Sequence, residues 1–259
     1  MTEPLFVLRS QIGSSFSSVS KMLTTTEDVR VAFQYRAARW IAPDIAALEL
    51  LKVASEPKNT WHRLLVLDRP SRGRMELLHS LFRIVVSPDE GVSLLKGEEL
   101  RDVLESECPE DYFIGGIVDS EDRKVVLFRG NLERLLVPLS WFNNGERALA
   151  ADSEDFEVID SGQTLRFGRY EAAADAVLYE FDSEARRRMK ERQLDHDESL
   201  GGSIRRLRLS RGLSQADFPG LDPKTISRIE RGKIEKPQEA TLKNLADRLA
   251  VSISELGSY

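Results

Sequence analysis

Two kinds of apolar spacing alternate along the first half of the chain. The segments 42–56 (APDIAALELLKVASE) and 97–107 (GEELRDVLESE) repeat apolar residues at intervals of three and four, which predicts helices. The runs 63–69 (RLLVLDR), 82–87 (FRIVVS) and 112–119 (YFIGGIVD) are short and apolar, as strands buried on both faces are. Helices interleaved with such strands predict a mixed α/β or α+β region over residues 1–122. Beyond it the pattern turns β-rich. KVVLFRG (124–130) and ERLLVPLSWF (133–142) read as extended runs joined by a turn at Gly130-Asn131. DFEVID (155–160) and TLRFG (164–168) repeat the arrangement around Ser161-Gly162, and EAAADAVLYEF (171–181) begins as a helix. Residues 123–182 are therefore expected to form a small β-rich domain, either separate or sharing its sheet with the region before it.

Apolar residues then nearly vanish. DSEARRRMKERQLDHDESLGG (182–202) reads as a charged linker over 183–201, a solvated helix leading to a hinge at Gly201-Gly202. Residues 202–259 resume a helical pattern with a start and a stop for each helix. Ile204 and Leu207 give a first helix its inward face, with Arg205, Arg206, Arg208 and Arg211 expected outside and Gly212 at its end. Ser214 with Asp217 three residues on reads as the capping pair of a second helix, which Pro219-Gly220 stops after little more than a turn. Asp222-Pro223 opens a third helix over 223–231, and Gly232 closes it. Leu242, Leu245, Ala246 and Leu249 share a face of a fourth, and Ser252 with Glu255 frames a short fifth.

The third helix carries the chemistry. Ile226 and Ile229 face inward, while Lys224, Ser227, Arg228 and Arg231 fall on the other side. A short helix with an apolar back and a cationic, hydrogen-bonding front suits a DNA major groove, where arginine forks onto guanine O6 and N7. A degenerate domain kept only for protein contacts would have no use for so cationic a front. The segment resembles the Cro/C1-type, phage-repressor-like helix-turn-helix family. The resemblance is carried by Ile204-Arg-Arg-Leu-Arg208, Gly212-Leu-Ser-Gln215, Thr225-Ile-Ser-Arg-Ile-Glu-Arg-Gly232, Pro237, Leu242 and Leu245-Ala246. It implies that Lys224, Thr225, Ser227 and Arg228 read bases. It places Arg208, Ser214, Gln215, Arg231 and Lys233 against phosphates, with Gln215 also bracing the recognition helix. It further implies a homodimer on a palindromic operator. One departure stands out: family members have about three more residues between the Ser-Gln start and the recognition helix, so the second helix here is cut short. A weaker resemblance surrounds Pro138-Leu-Ser-Trp-Phe142 and the hairpin after it. It is to a small bacterial domain family of uncharacterised function whose members sometimes precede a helix-turn-helix, and it implies a regulatory or partner-binding role.

Charge sharpens this picture. The net charge is -6, yet residues 200–259 hold eleven Lys and Arg against seven Asp and Glu, leaving the remainder at -10. A basic module on an acidic body meets phosphates with one part only. No run approaches the length of a membrane span, no cationic and apolar leader opens the chain, and Cys108 is a lone cysteine, so a cytoplasmic protein is expected. His62, His79 and His196 are scattered, which predicts no metal site and no cofactor. Gly115-Gly116 with Asp119 is a plain turn or, more remotely, a nucleotide-binding one, and Trp40, Trp61 and Trp141 are expected in cores, Trp141 alternatively in a partner groove. Nucleophile-elbow and phosphate-loop motifs are missing, so no enzyme is expected. The leading expectation is a repressor-like transcription regulator whose N-terminal region senses an effector, dimerises or binds a protein. Two alternatives are an antitoxin-like interaction protein with secondary autoregulation and an enzyme with an appended DNA-binding domain.

Overall fold

The computed structural model describes residues 3–9, 20–53, 61–88, 92–143 and 155–257, apart from the side chain at 194. The chain divides into two units, Met1–Ser183 and Glu184–Tyr259. The first is α/β and the second is helical.

The first unit begins with five short strands: β1 (Leu5–Leu8), β2 (Lys21–Leu23), β3 (Arg39–Ala42), β4 (Arg63–Val66) and β5 (Ile84–Val86). They form one sheet in the order β2-β1-β3-β4-β5, and every pairing is parallel. All residues of β1, β3 and β4 are buried, so these strands are apolar runs without alternation. Helices α1 (Thr26–Ala32) and α2 (Arg72–Leu81) supply crossovers, and Phe6, Trp40, Leu64, Leu78 and Phe82 lie in the core. Thr25 and Asp28 cap α1 reciprocally. The helix expected over 42–56 is only a 3-10 turn, Ala47–Val53, with Asp44 Oδ1 accepting from the Ala47 amide at 2.8 Å. Its residues beyond 53 lie outside those described.

A four-stranded antiparallel sheet follows, made of β6 (Val92–Leu94), β7 (Phe113–Asp119), β8 (Lys124–Arg129) and β9 (Arg134–Pro138), with α3 (Gly97–Glu105) between its first two strands. Gly115 and Gly116 sit inside β7 and form no turn. A Cβ on Gly115 would stand 2.2 Å from the Ser93 carbonyl oxygen on β6, so glycine here permits close strand approach. Next come β10 (Phe156–Ile159), β11 (Thr164–Phe167) and β12 (Tyr170–Ala173), an antiparallel meander leading into α4 (Ala174–Phe181). The predicted helix over 171–181 thus starts three residues later, after a strand. Phe142 and Phe167 pack with ring centroids 4.6 Å apart, and Trp141 meets Phe181 at 5.7 Å.

The second unit holds α5 (Ser183–Asp195, its first residue at the boundary), α6 (Leu200–Ser210), α7 (Pro223–Glu230), α8 (Glu239–Leu249) and a closing 3-10 turn, Ile253–Gly257. Ile204, Leu207, Phe218, Ile226, Ile229, Leu245 and Leu249 form its core. Two expectations are corrected here. Gly201-Gly202 is no hinge: both residues are buried in the first turn of α6, where a Cβ on Gly201 would meet the Ile229 carbonyl at 2.3 Å. Glycine lets α6 approach the end of α7. The second helix is also absent, and residues 214–217 make a single turn. Pro219 removes a donor, Gly220 takes a positive φ of 81°, and Phe218 is drawn into the core. Among the described residues, no helix is long and apolar enough to cross a membrane.

Candidate nucleic-acid interface

Asp222 caps α7, its side chain accepting from the Lys224 amide at 2.8 Å, and Pro223 occupies the first helical position. Ile226 and Ile229 are buried by the spacing that selects one helix face. Lys224 and Arg228 are exposed, one turn apart, with Thr225 and Ser227 half-buried beside them. Arg231 is exposed at the C-cap. Gly232 then turns left-handed with φ 68°, and the Lys233 amide donates back to the Arg228 carbonyl at 2.8 Å. The Lys233 side chain therefore leaves beyond the helix end, exposed.

The acid of this helix is hidden. Glu230 is 3% exposed; its Oε1 accepts from Arg208 Nε at 2.6 Å and its Oε2 from Arg208 Nη2 at 3.0 Å. Gln215 Nε2 donates to the same Oε2 at 2.7 Å. Arg208 Nη1 also donates to the Leu213 carbonyl at 2.8 Å, so its guanidinium is committed inside the domain. This corrects the expectation that Arg208 lies outside and meets a phosphate. Residues 204, 207 and 208 share one helix face, and the inward arginine answers the inward carboxylate. With Glu230 neutralised, the outer side of α7 presents cations without a competing carboxylate.

The shortened segment before α7 is fastened at several points. The Ser214 amide donates to Asp217 Oδ2 at 2.6 Å, and the Ala216 amide to Ser214 Oγ at 3.3 Å. Hydrogen bonding from the Ser214 side chain and then from its amide holds the Asp217 carboxyl below its ordinary range, with the Arg248 cation adding a smaller effect. From α8, Asn244 Nδ2 donates to the Pro219 carbonyl at 2.8 Å and Arg248 Nε to the Asp217 carbonyl at 2.6 Å. Ser214 is exposed and Gln215 half-buried.

The structure thus brings Lys224, Thr225, Ser227 and Arg228 onto one side of α7, with Arg231 and Lys233 at its end. Gln215 is joined to α7 through Glu230, and Arg208 is withdrawn from the surface. Sequence reasoning missed Glu230, Asn244 and Arg248. The first was detectable, because Glu230 stands four residues after Ile226 on an inward face, where a carboxylate demands a partner. The tryptophans divide: Trp40 is buried, whereas Trp61 is 47% exposed. His62 is buried and accepts from Trp40 Nε1 at 3.1 Å, and burial pushes its pKa down. Residues 204–256 match the helix-turn-helix family model. Neither curated proteins nor solved structures gave a match to the chain.

Proposed function

We propose, with the Cro/C1-type helix-turn-helix domain of residues 204–256 as the premise, that this protein is a sequence-specific DNA-binding transcription regulator. The observation that carries the reading is the two-sided character of α7. Its carboxylate is buried and paired, while Lys224 and Arg228 stand exposed on a helix of eight residues and Arg231 stands exposed at its C-cap. In this reading α7 enters the major groove. Lys224, Thr225, Ser227 and Arg228 meet base edges, and Ser214, Gln215, Arg231 and Lys233 meet the flanking phosphates. The acidic N-terminal unit stays off the polyanion and acts as a sensing or dimerisation body, and a homodimer sets two recognition helices on a palindromic operator. The weaker resemblance around Pro138–Phe142 supports a regulatory rather than catalytic body.

The test is to capture fragmented genomic DNA with the purified protein, sequence what is retained, and titrate the enriched motif against a scrambled copy. An enriched motif bound at least a hundredfold tighter than its scramble is the expected outcome. Equal affinity for both would overturn the reading.

A further inference from the structure

We propose that the first unit binds a small oxyanion, a phosphate- or carboxylate-bearing metabolite, in an arginine-lined cleft at the amino ends of β1, β3, β4 and β5. Two adjoining cavities of about 430 and 360 Å³ share Glu3, Arg63 and Glu133 as walls. Each is of the size that holds a small ligand. Both open against the second sheet near the start of β9, the end opposite to where a parallel sheet of this winding usually seats a ligand.

Arg63 sits at the centre. It is 4% exposed, its Nη1 pairs with Glu133 at 3.0 Å and its Nη2 with Glu3, yet its Nε is buried without a partner. Arg39, nearly as buried, lines the second cavity, with its Nη1 donating to the Leu104 carbonyl at 2.8 Å and the Gly130 carbonyl at 3.2 Å. On the rim, Arg36, Arg83 and Arg134 are exposed, and neither Arg36 nor Arg134 has a carboxylate partner among the described residues. The Arg83 guanidinium lies 3.7 Å over the Trp61 ring, which fixes its direction. Five arginines therefore face three glutamates, two of which are spent on Arg63.

This concavity is locally cationic within a unit whose acids outnumber its bases by ten. A concave site of one sign gathers small ions of the opposite sign, whereas the acidic surroundings repel a long polyanion such as DNA. The Arg83 guanidinium, held over the Trp61 ring, presents its forked donors to a phosphate or carboxylate with little left to order, and Arg36 and Arg134 add charge at the same mouth. Structure alone asks for Arg63, Glu3 and Glu133, but it has no need of the unneutralised Arg36 and Arg134 at the same mouth.

The inference does not depend on the DNA reading, because ligand binding is measured directly. Calorimetric titrations of the full chain use inorganic pyrophosphate in one arm and citrate in the other, which separates phosphate from carboxylate. Saturable binding of one probe per chain is expected in at least one arm. The double change Arg36→Ala with Arg134→Ala, both at exposed positions, should weaken it tenfold or more without altering the melting temperature. Arg228→Ala, on the proposed DNA face, should leave it unchanged. Absence of saturable binding in both arms would overturn the site. So would binding that Arg228→Ala removes, or that survives the double rim change. Arg63→Gln should abolish binding, but since it can also unfold the domain the rim variants decide.

Discussion

Glu230 and Arg228 lie two residues apart on α7 and do opposite things with charge. One is buried against Arg208 and Gln215; the other is exposed. If Arg228 forks onto guanine, Arg228→Ala should cost about 1–3 kcal/mol at the operator and relax preference at one base position. Lys233→Ala, beyond the terminating glycine, should weaken all sequences alike and lower the salt slope by about one unit per half-site. Affinities for operator and scrambled DNA across a salt series separate the two, and equal losses for Arg228→Ala would make it a phosphate clamp. Removing Glu230 is a matter of folding. Glu230→Ala leaves the Arg208 cation buried without its partner and should cost about 3–5 kcal/mol of stability, read by thermal or denaturant melting. Arg208→Ala should likewise lower stability while leaving the salt slope of binding unchanged, the outcome opposite to that of a phosphate contact. The exposed α7 residues were legible because a spacing of three and four separates front from back. Arg208 was misread because its partner is 22 residues away, and spacing along one helix does not announce a pairing between two.

Among the elements, the turn over 214–217 departs furthest from expectation. The capping pair of Ser214 and Asp217 survives, yet no helix grows from it, because Pro219 and Gly220 follow within a turn and Phe218 is taken into the core. Rigidity comes from α8, through Asn244 and Arg248. The contact between α6 and α7 depends instead on a missing side chain. Gly201→Ala sets a Cβ 2.3 Å from the Ile229 carbonyl and should destabilise the second unit by about 1–3 kcal/mol. Gly73→Ala in α2 meets nothing within 4 Å and should stabilise by about 0.5–1 kcal/mol, which makes it the control in the same melting assay. The start of α1 adds a pH dependence. Hydrogen bonds from Thr24 and Thr25 hold the Asp28 carboxyl down to about 2, so its contribution is present above the ordinary aspartate range and lost as pH falls toward 2. Acid titrations of wild type and Asp28→Asn should differ over that interval and run parallel above it. Strands β1 and β3 escaped the sequence reading because LFVL and RWIA are runs of only four residues without alternation, and β2 because two of its three residues are exposed, whereas the longer β7 and β8 announced themselves.

At the scale of the whole molecule, charge and core are partitioned along the chain. The excess of base over acid falls after residue 200, so a fragment ending at Ser183 should leave DNA unshifted in an electrophoretic assay, while residues 184–259 should retain weak, salt-sensitive binding. Binding by the first fragment alone would refute the division of labour. A helix of eight residues reads few base pairs, so two chains per operator are expected by light scattering, and one chain per operator would refute the homodimer. The cationic cleft had no sequence signature at all. Its arginines stand at 36, 39, 63, 83 and 134; the parallel order β1-β3-β4-β5 gathers the first four at one end of that sheet, and the start of β9 in the second sheet brings Arg134. The division between Ser183 and Glu184 bears on inheritance as well as on binding. Each unit holds a hydrophobic core of its own, so a recombination event at that junction exchanges one helix-turn-helix unit for another and leaves the core of the first unit whole. The lineage of the body and the lineage of its DNA reader are then free to differ, and a family tree drawn from one unit should not be assumed to describe the other.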